Sequence, residues 1–202
     1  MRLRPVALAT IVAASLLGCG GGDDGSSYAV TFTPSSTPSA PRLVKLVQKT
    51  KSGGRVVVQV VIFGPDAALD MYSFAFDVMI GDSNVLRFVG NSDVAGNALI
   101  PTGGQTVESL ASVADGGTDP STVVVGVSKF NGGSGNGISD ASAVVVELAF
   151  DVRAAGTTSL TLAGSGGNPP RVFDSNLVPI GSITFDTASA TVQGTSSGGG
   201  GY

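Results

Sequence analysis

The sequences RVVVQVVIF at residues 55–63 and MYSFAFDVMI at residues 71–80 decide the fold, and a Gly-Pro-Asp turn region separates them. In the second run a large apolar side chain occupies every other position: Tyr72, Phe74, Phe76, Val78 and Ile80. Successive side chains of a strand point to opposite faces, so this spacing predicts a strand with one aromatic face. Two strands are not stable alone in water, so a second sheet must cover that face.

Seven more segments have the composition of short strands, at residues 42–48, 85–89, 105–113, 121–130, 141–153, 157–162 and 182–192. The fifth of these alternates most regularly, with one row of apolar side chains: Val144, Val146, Leu148, Phe150 and Val152. Gly126, within another, indicates a bulge or a close backbone approach. No segment has the period of an amphipathic helix. We therefore predict an all-β fold, a two-sheet antiparallel sandwich of about nine strands, with Phe76 and Phe150 deep in the core.

The composition excludes several classes of function. Removing residues 1–18, a predicted signal peptide, leaves 9 basic and 15 acidic residues, a formal charge of −6. That sign argues against nucleic acid and anionic lipid headgroups as ligands. The chain has no histidine, the commonest general base and metal ligand, and its single cysteine forms no internal disulfide. We predict neither an enzyme nor a bound cofactor.

The N-terminus has the layout of a secretory signal peptide, with Arg2 and Arg4 before an apolar run too short for a membrane span of about 20 residues. Leu16-Leu17-Gly18-Cys19 resembles a bacterial lipobox, whose cysteine is lipidated and becomes the first mature residue. An ordinary signal peptide with a chance cysteine is the alternative. The resemblance implies a lipid-anchored protein of the bacterial cell envelope, and Gly20 favours the outer membrane or cell surface.

The rest of the chain divides by composition. Residues 19–41 are rich in Gly, Ser, Thr and Pro and predict a flexible tether, within which 28–32 is β-prone and could add an edge strand. Residues 42–193 form the predicted sandwich, and residues 194–202 a disordered Gly-rich tail.

The order of the strands from Arg42 to about Val192 resembles the cohesin domain, a nine-stranded jelly-roll-like sandwich. The segments that carry this resemblance are Val56-Val57-Val58-Gln59-Val60, Tyr72-Ser73-Phe74-Ala75-Phe76-Asp77-Val78, Asp82-Ser83-Asn84-Val85-Leu86-Arg87-Phe88, Leu148-Ala149-Phe150-Asp151-Val152 and Gly156-Thr157-Thr158-Ser159-Leu160-Thr161-Leu162. Carbohydrate-binding modules of the same architecture share much of this pattern.

The resemblance implies a non-catalytic module that binds a protein partner, a dockerin in cohesins, through the outer face of one sheet. That sheet would contain residues 71–80, 105–113, 121–130 and 157–162. Its outward residues would include Ser73, Ala75, Asp77, Thr122, Val124, Ser128 and Thr161. The chain has no dockerin-type calcium repeat, so the partner would be another protein.

Two other functions remain open. A carbohydrate-binding module linked to polysaccharide breakdown would need planar aromatic side chains, and the chain has three tyrosines and no tryptophan. A structural surface lipoprotein could instead assemble with copies of itself through exposed sheet edges.

Metal sites are not predicted. Asn91, Asp93 and Asn97 could supply oxygen ligands to Ca²⁺, but such side chains also stabilise turns unaided. Residues 132–136 approximate a single calcium-binding repeat, and a plain loop is the preferred interpretation. Asp77 and Asp151 are expected to be solvated surface carboxylates on strands.

Overall fold

A computed structural model of the chain describes residues 28–92, 98–99, 107–114, 119–129, 133–164 and 168–197. These ranges contain fourteen strands and no helix, and hence no helix long and apolar enough to cross a membrane. The strands are β1 (Tyr28–Thr33), β2 (Leu43–Ser52), β3 (Arg55–Phe63), β4 (Asp66–Met71), β5 (Ser73–Ile80), β6 (Leu86–Ser92), β7 (Val107–Ala114), β8 (Asp119–Lys129), β9 (Asn136–Ile138), β10 (Ser142–Val152), β11 (Gly156–Ala163), β12 (Arg171–Phe173), β13 (Thr184–Phe185) and β14 (Ala190–Ser196).

The strands form two large sheets. One has the order β1-β14-β11-β5-β8-β7, with β12 also paired to β5, and the other has the order β13-β2-β3-β10-β6. Strands β4 and β9 make a small third sheet. Every pairing is antiparallel except that of β13 with β2. The prediction of an all-β antiparallel sandwich is confirmed.

The two large sheets share one apolar core. Phe76 on β5 and Phe150 on β10 are both fully buried in it, as predicted. The ring of Phe76 lies 5.9 Å from that of Phe185, and the ring of Phe150 lies 5.7 Å from that of Phe88, between centroids. Aromatic pairs at such distances stabilise a core beyond the area that they bury.

The strand count differs from the predicted nine. Eight predicted strands are present, while the ninth divides into β13 and β14, which join different sheets. Strands β4, β9 and β12 were not predicted, since segments of three to six residues carry little periodicity.

The alternation of β10 also departs from the prediction. A register shift between Val144 and Val146 marks a bulge, and Val145 is fully buried while Val144 is half-buried. A bulge inserts one residue into a strand and so exchanges the faces before it. The row of apolar side chains therefore begins at Val146 and has four members instead of five.

The sandwich begins earlier than the predicted boundary at residue 42. Strand β1, within the predicted tether, pairs with β14 over six residues and buries Val30 and Phe32. Beyond it, the hydroxyls of Ser35 and Thr37 donate to Asp186, the latter at 2.8 Å. Residues 19–27 of the predicted tether, which include Cys19, lie outside the described residues.

The sandwich also ends later than residue 193. Strand β14 continues to Ser196, and Gly194 pairs with both Val30 and Gly156. A Cβ at Gly194 would lie 2.4 Å from Cγ1 of Val152 in the other sheet. This glycine therefore permits close packing, although its sequence context is that of a flexible tail.

Candidate functional site

The sheet predicted to carry the binding residues is formed as expected. Strands β5, β7, β8 and β11 lie in one sheet, and their inward side chains, such as Phe74 and Val125, are buried. The opposite side is called the front face here. It is defined by the outward residues Ser73, Ala75, Asp77, Met79, Leu110, Thr122, Val124, Ser128 and Thr161, with Arg171 at its margin.

Strand register aligns the front-face residues in rows. Val124 lies opposite Asp77, while Met79 lies between Thr122 and Thr161. Ala75 is exposed and Val124 is 37% exposed, whereas the four predicted hydroxyl residues are half-buried: Ser73, Thr122, Ser128 and Thr161. The structure thus brings the predicted residues together on one surface.

Asp77 was predicted to be a solvated surface carboxylate, and that prediction was wrong. The residue is buried, with 5% of its surface exposed. It lies on the central strand β5, with Val124 of β8 on one side and Ala163 of β11 on the other. Neighbours on both sides of a central strand restrict the access of water to a short side chain. Asp77 therefore offers little surface to a partner.

Two exposed apolar residues of the front face were not predicted. Met79 is 37% exposed and Leu110 is 67% exposed. Met79 follows Ala75 and Asp77 at intervals of two residues and therefore faces the same side of the sheet. The alternation of the strand could have identified it. Leu110 could not be assigned a face, because its segment lacks a clear pattern.

Gly126 separates Leu110 from Ala75 across β8. No described atom lies within 4 Å of the position that a Cβ would take there, and the pairing of β5 with β8 has no register shift. The prediction of a bulge or a close approach at Gly126 was wrong. The glycine leaves a notch in the front face between two exposed apolar side chains.

A hollow of about 320 Å³ opens at the margin of the front face. Its walls are formed by Ala75, Asn168, Pro169, Arg171 and Phe173. Arg171 lies on β12 directly opposite Ala75 and makes no ion pair with any described residue. The hollow therefore combines an apolar wall with a guanidinium that can orient an acidic group.

The other sheet presents a charged outer side, called the back face, defined by Lys49, Arg55, Gln59, Arg87, Ser92, Glu147, Asp151 and Arg153. At its centre Glu147 accepts hydrogen bonds from Lys49 at 2.8 Å, Gln59 at 2.8 Å and Ser92 at 3.3 Å. Burial opposes ionisation of Glu147, but these donors outweigh it and hold the pKa of the carboxyl below its ordinary value. Four strands or their bulges supply this network, which sequence reasoning did not find.

Asp151 forms a second charged group on the back face. Arg55 donates to its two oxygens, from Nε at 2.6 Å and from a terminal nitrogen at 2.8 Å. These bonds lower the pKa of Asp151, and the nearby charges of Arg153 and Arg87 lower it further. The same contact raises the pKa of Arg55. Asp151 thus faces outward on its strand, as predicted, with 31% of its side chain exposed, and it is also ion-paired with Arg55.

Of the three residues considered for calcium, only Asn91 lies in the described part of the chain. The amide oxygen of Asn91 accepts the N–H of Ala111 at 3.3 Å, and Asp93 and Asn97 lie outside the described residues. No group of three or more acidic, histidine or cysteine side chains that could hold a metal ion occurs among the residues described.

The Gly-rich loop after β8 is fixed by protein groups. Lys129 donates to the carbonyl oxygen of Ser134 at 2.5 Å, and the N–H of Gly135 donates to Asp70. Ser175 also donates to Asp70 and is the main cause of a lowered pKa at that carboxyl. Burial lowers the pKa of Lys129. These contacts support the interpretation of residues 133–136 as a structural loop.

Comparison with known proteins gives weak structural likenesses. No protein-family model matches the sequence, and no curated protein matches it. The chain is similar to the sixth cohesin of scaffoldin B from Acetivibrio cellulolyticus, solved in complex with a Cel5 dockerin mutant, with 16% identity, coverage of 78% of this chain and 94% of that one, and a TM-score of 0.47.

Two further likenesses are of the same kind. A type II cohesin domain from the cellulosome of A. cellulolyticus has 18% identity, coverage of 76% and 95%, and a TM-score of 0.47. A cohesin module from a family 33 glycoside hydrolase of Clostridium perfringens has 12% identity, coverage of 82% and 97%, and a TM-score of 0.44. At these values the likenesses do not assign the chain to a family.

Proposed function

We propose that this chain is a non-catalytic recognition module, held at the bacterial envelope by a lipid on Cys19, whose front face binds a protein partner. The observation that carries the proposal is the set of exposed apolar side chains aligned on one sheet. Val124 and Met79 lie at the centre of this set, and Leu110 lies towards its edge.

The chemistry of the front face suits a protein better than a sugar. Removing apolar surface from water favours binding and hydroxyl groups can be satisfied by hydrogen bonds, whereas buried charges are costly unless paired. The described tyrosines, Tyr28 and Tyr72, are half-buried, which leaves little planar aromatic surface for a pyranose ring. The sequence resemblance to cohesins makes a dockerin-like domain the expected class of partner.

Arg171 gives the proposed interface an orientation. It stands at the margin, in the hollow beside Ala75, where a carboxylate of the partner could form two parallel hydrogen bonds with its guanidinium. Apolar contacts at the centre with a charged group at the rim are the usual arrangement of a protein interface.

The test compares the same substitution on the two faces. Val124→Arg places a charge at the centre of the front face, and Val89→Arg is the matched control, since Val89 is 47% exposed on β6 of the other sheet. A protein that binds to the immobilised wild-type chain and to Val89→Arg, but not to Val124→Arg, is purified. Its affinity for each of the three chains is then measured by calorimetry. We expect Val124→Arg to weaken its binding at least tenfold and Val89→Arg to leave binding unchanged.

Other outcomes identify other functions. Equal retention by all three proteins would contradict front-face binding. A concentration-dependent dimer in sedimentation, abolished by Val124→Arg, would show that the front face binds a second copy. Retention on an insoluble polysaccharide that both variants preserve would instead favour the carbohydrate-binding function.

The anchor is tested separately by cell fractionation. Cys19→Ala removes the only thiol of the chain. We expect the wild-type protein in the membrane fraction and the variant in the soluble fraction, because the acyl chains bury their methylene groups in the bilayer. Unchanged fractionation of the variant would contradict lipid anchoring.

A further inference from the structure

Three arginines gather around one carboxylate at one end of the back face. Asp151 on β10 lies directly between Arg55 on β3 and Arg87 on β6 in the strand register. Arg153 follows two residues later and, like Arg87, acts on the charge of Asp151. This cluster of four residues is called the basic end.

The basic end has an excess of positive charge. Asp151 accepts two hydrogen bonds from Arg55, and the opposite charges of these two residues balance each other. Arg87 and Arg153 are exposed and form no ion pair with a described residue. Two guanidiniums thus remain free to bind an anion, although the chain as a whole carries a formal charge of −4. Charges more than about 8 Å away are largely screened at physiological salt, so the local excess decides what this end attracts.

Two surface hollows meet at Arg153. One, of about 260 Å³, is lined by Arg87, Phe88, Val89, Asp151 and Arg153. The other, of about 380 Å³, includes Tyr28, Ser52, Arg55, Asp151 and Arg153 in its lining. Each is large enough for a phosphate group, and a guanidinium can grip phosphate oxygens with two parallel donors.

The basic end also lies where the tether enters the sandwich. Tyr28, in the lining of the larger hollow, is the first residue of β1, and residues 19–27 join it to Cys19. Nine residues reach about 30 Å when fully extended and about 16 Å on average as a flexible coil. A lipid on Cys19 would therefore keep the basic end close to the membrane surface.

We propose that the basic end binds phosphate groups of anionic lipids in the membrane that carries the anchor, with Arg87 and Arg153 as the phosphate-binding residues. This inference rests on the lipid anchor of the proposed function. It replaces, for this end of the molecule, the expectation from net charge that anionic lipids are not ligands. Bound in this way, the sandwich would hold one orientation on the membrane.

The sequence before β1 contains two carboxylates. Asp23 and Asp24 precede Tyr28 by five and four residues. Their negative charge opposes binding to an anionic surface, so Asp23→Asn/Asp24→Asn is expected to bind an anionic membrane as tightly as the parent chain or more tightly. Weaker binding by this variant would contradict the electrostatic argument.

The experiment measures vesicle binding without the lipid anchor. The complete chain after the predicted signal, carrying Cys19→Ala, is sedimented with vesicles of phosphatidylcholine alone or mixed with phosphatidylglycerol. We expect binding to the mixed vesicles only, weakening as salt is added. Arg87→Gln and Arg153→Gln should each weaken it roughly fivefold. Arg171→Gln, which removes a guanidinium from the other sheet, should leave it unchanged.

Each result has a defined meaning. Equal binding to both kinds of vesicle, or equal loss with Arg171→Gln, would overturn the proposal. Loss of vesicle binding when inorganic phosphate replaces chloride at equal ionic strength would show that the site prefers free phosphate, which also overturns it. Because this chain has no acyl group and its front face is unaltered, the result does not depend on the fractionation or partner-binding tests.

Discussion

The front and back faces are built by the same strand alternation but differ in how their side chains are satisfied. On the back face Glu147 bonds to Lys49 and Asp151 bonds to Arg55, so that charges on neighbouring strands pair with each other. On the front face Met79, Val124 and Leu110 are exposed apolar side chains. The charged groups at the centre of the back face are therefore satisfied within the chain, whereas the centre of the front face leaves apolar side chains exposed.

Both faces depend on the same apolar core. The substitution with the largest expected effect on stability removes a ring from that core. Phe150→Ala removes a fully buried ring that packs on Phe88, and we expect it to lower the free energy of unfolding by about 3–5 kcal/mol. Urea unfolding followed by far-ultraviolet circular dichroism measures this change. Phe88→Ala, at a half-buried position, should cost clearly less.

The same experiment tests whether the two sheets unfold together. If Phe150→Ala lost less than about 1 kcal/mol, or if the two sheets unfolded in separate steps, then the faces would not be two sides of a single cooperative unit. A single transition shifted to lower urea would support the shared core.

Glu147→Gln is the next largest perturbation and tests the back face. It removes the buried charge that three donors satisfy, and we expect a loss of about 1–3 kcal/mol at neutral pH. Asp140→Asn removes an exposed carboxylate and should cost less than about 0.5 kcal/mol. Equal effects of the two substitutions would show that the Glu147 network does not stabilise the fold.

The lowered pKa of Glu147 also predicts how the stability of the fold changes with pH. The pKa of Glu147 is lowered in the folded chain from its ordinary value of 4.5, so its stabilising contribution is complete above that pH. The contribution is lost as the pH falls below 4.5 through the folded-state pKa. Denaturant titrations between pH 7 and about pH 3 should therefore show a smaller decline for Glu147→Gln than for the wild-type chain.

The Arg55–Asp151 pair should contribute less, because its side chains are 52% and 31% exposed. A double-mutant cycle with Arg55→Gln and Asp151→Asn is expected to give a coupling free energy of about 0.2–1 kcal/mol, reduced by added salt. A coupling free energy that is larger and insensitive to salt would show that the pair is effectively buried and would remove the contrast with Glu147.

The sequence was sufficient for the sandwich and for the sheet that carries the front face. Alternation placed Phe76 and Phe150 in the core and Val124 on the outside, because a period of two determines the face once a strand is recognised. It could not place Asp77, whose burial depends on neighbours supplied by β8 and β11. Nor could it detect the bulge at Val144, which shifts the face by one residue.

Long-range contacts account for the remaining differences. The Ser- and Pro-rich composition of residues 34–41 predicts a tether, but Lys45 donates to the carbonyl oxygens of Ser35 and Thr37 and lies 3.9 Å from Asp186. The back-face cluster likewise joins Lys49, Gln59, Ser92 and Glu147, which are separated by up to 98 residues. Composition and local periodicity contain no information on such pairs.

The smallest expected effect on stability completes the comparison. Val124→Arg and Val89→Arg both replace an exposed valine, so each should change the free energy of unfolding by less than about 0.5 kcal/mol. Urea denaturation of the two variants measures this directly. If Val124→Arg were destabilising by 2 kcal/mol or more while Val89→Arg was neutral, the front face would be packed against part of its own chain. Neutral stability in both, with loss of partner binding in Val124→Arg alone, would show that Val124 is free in the isolated protein and contacts the partner in the complex.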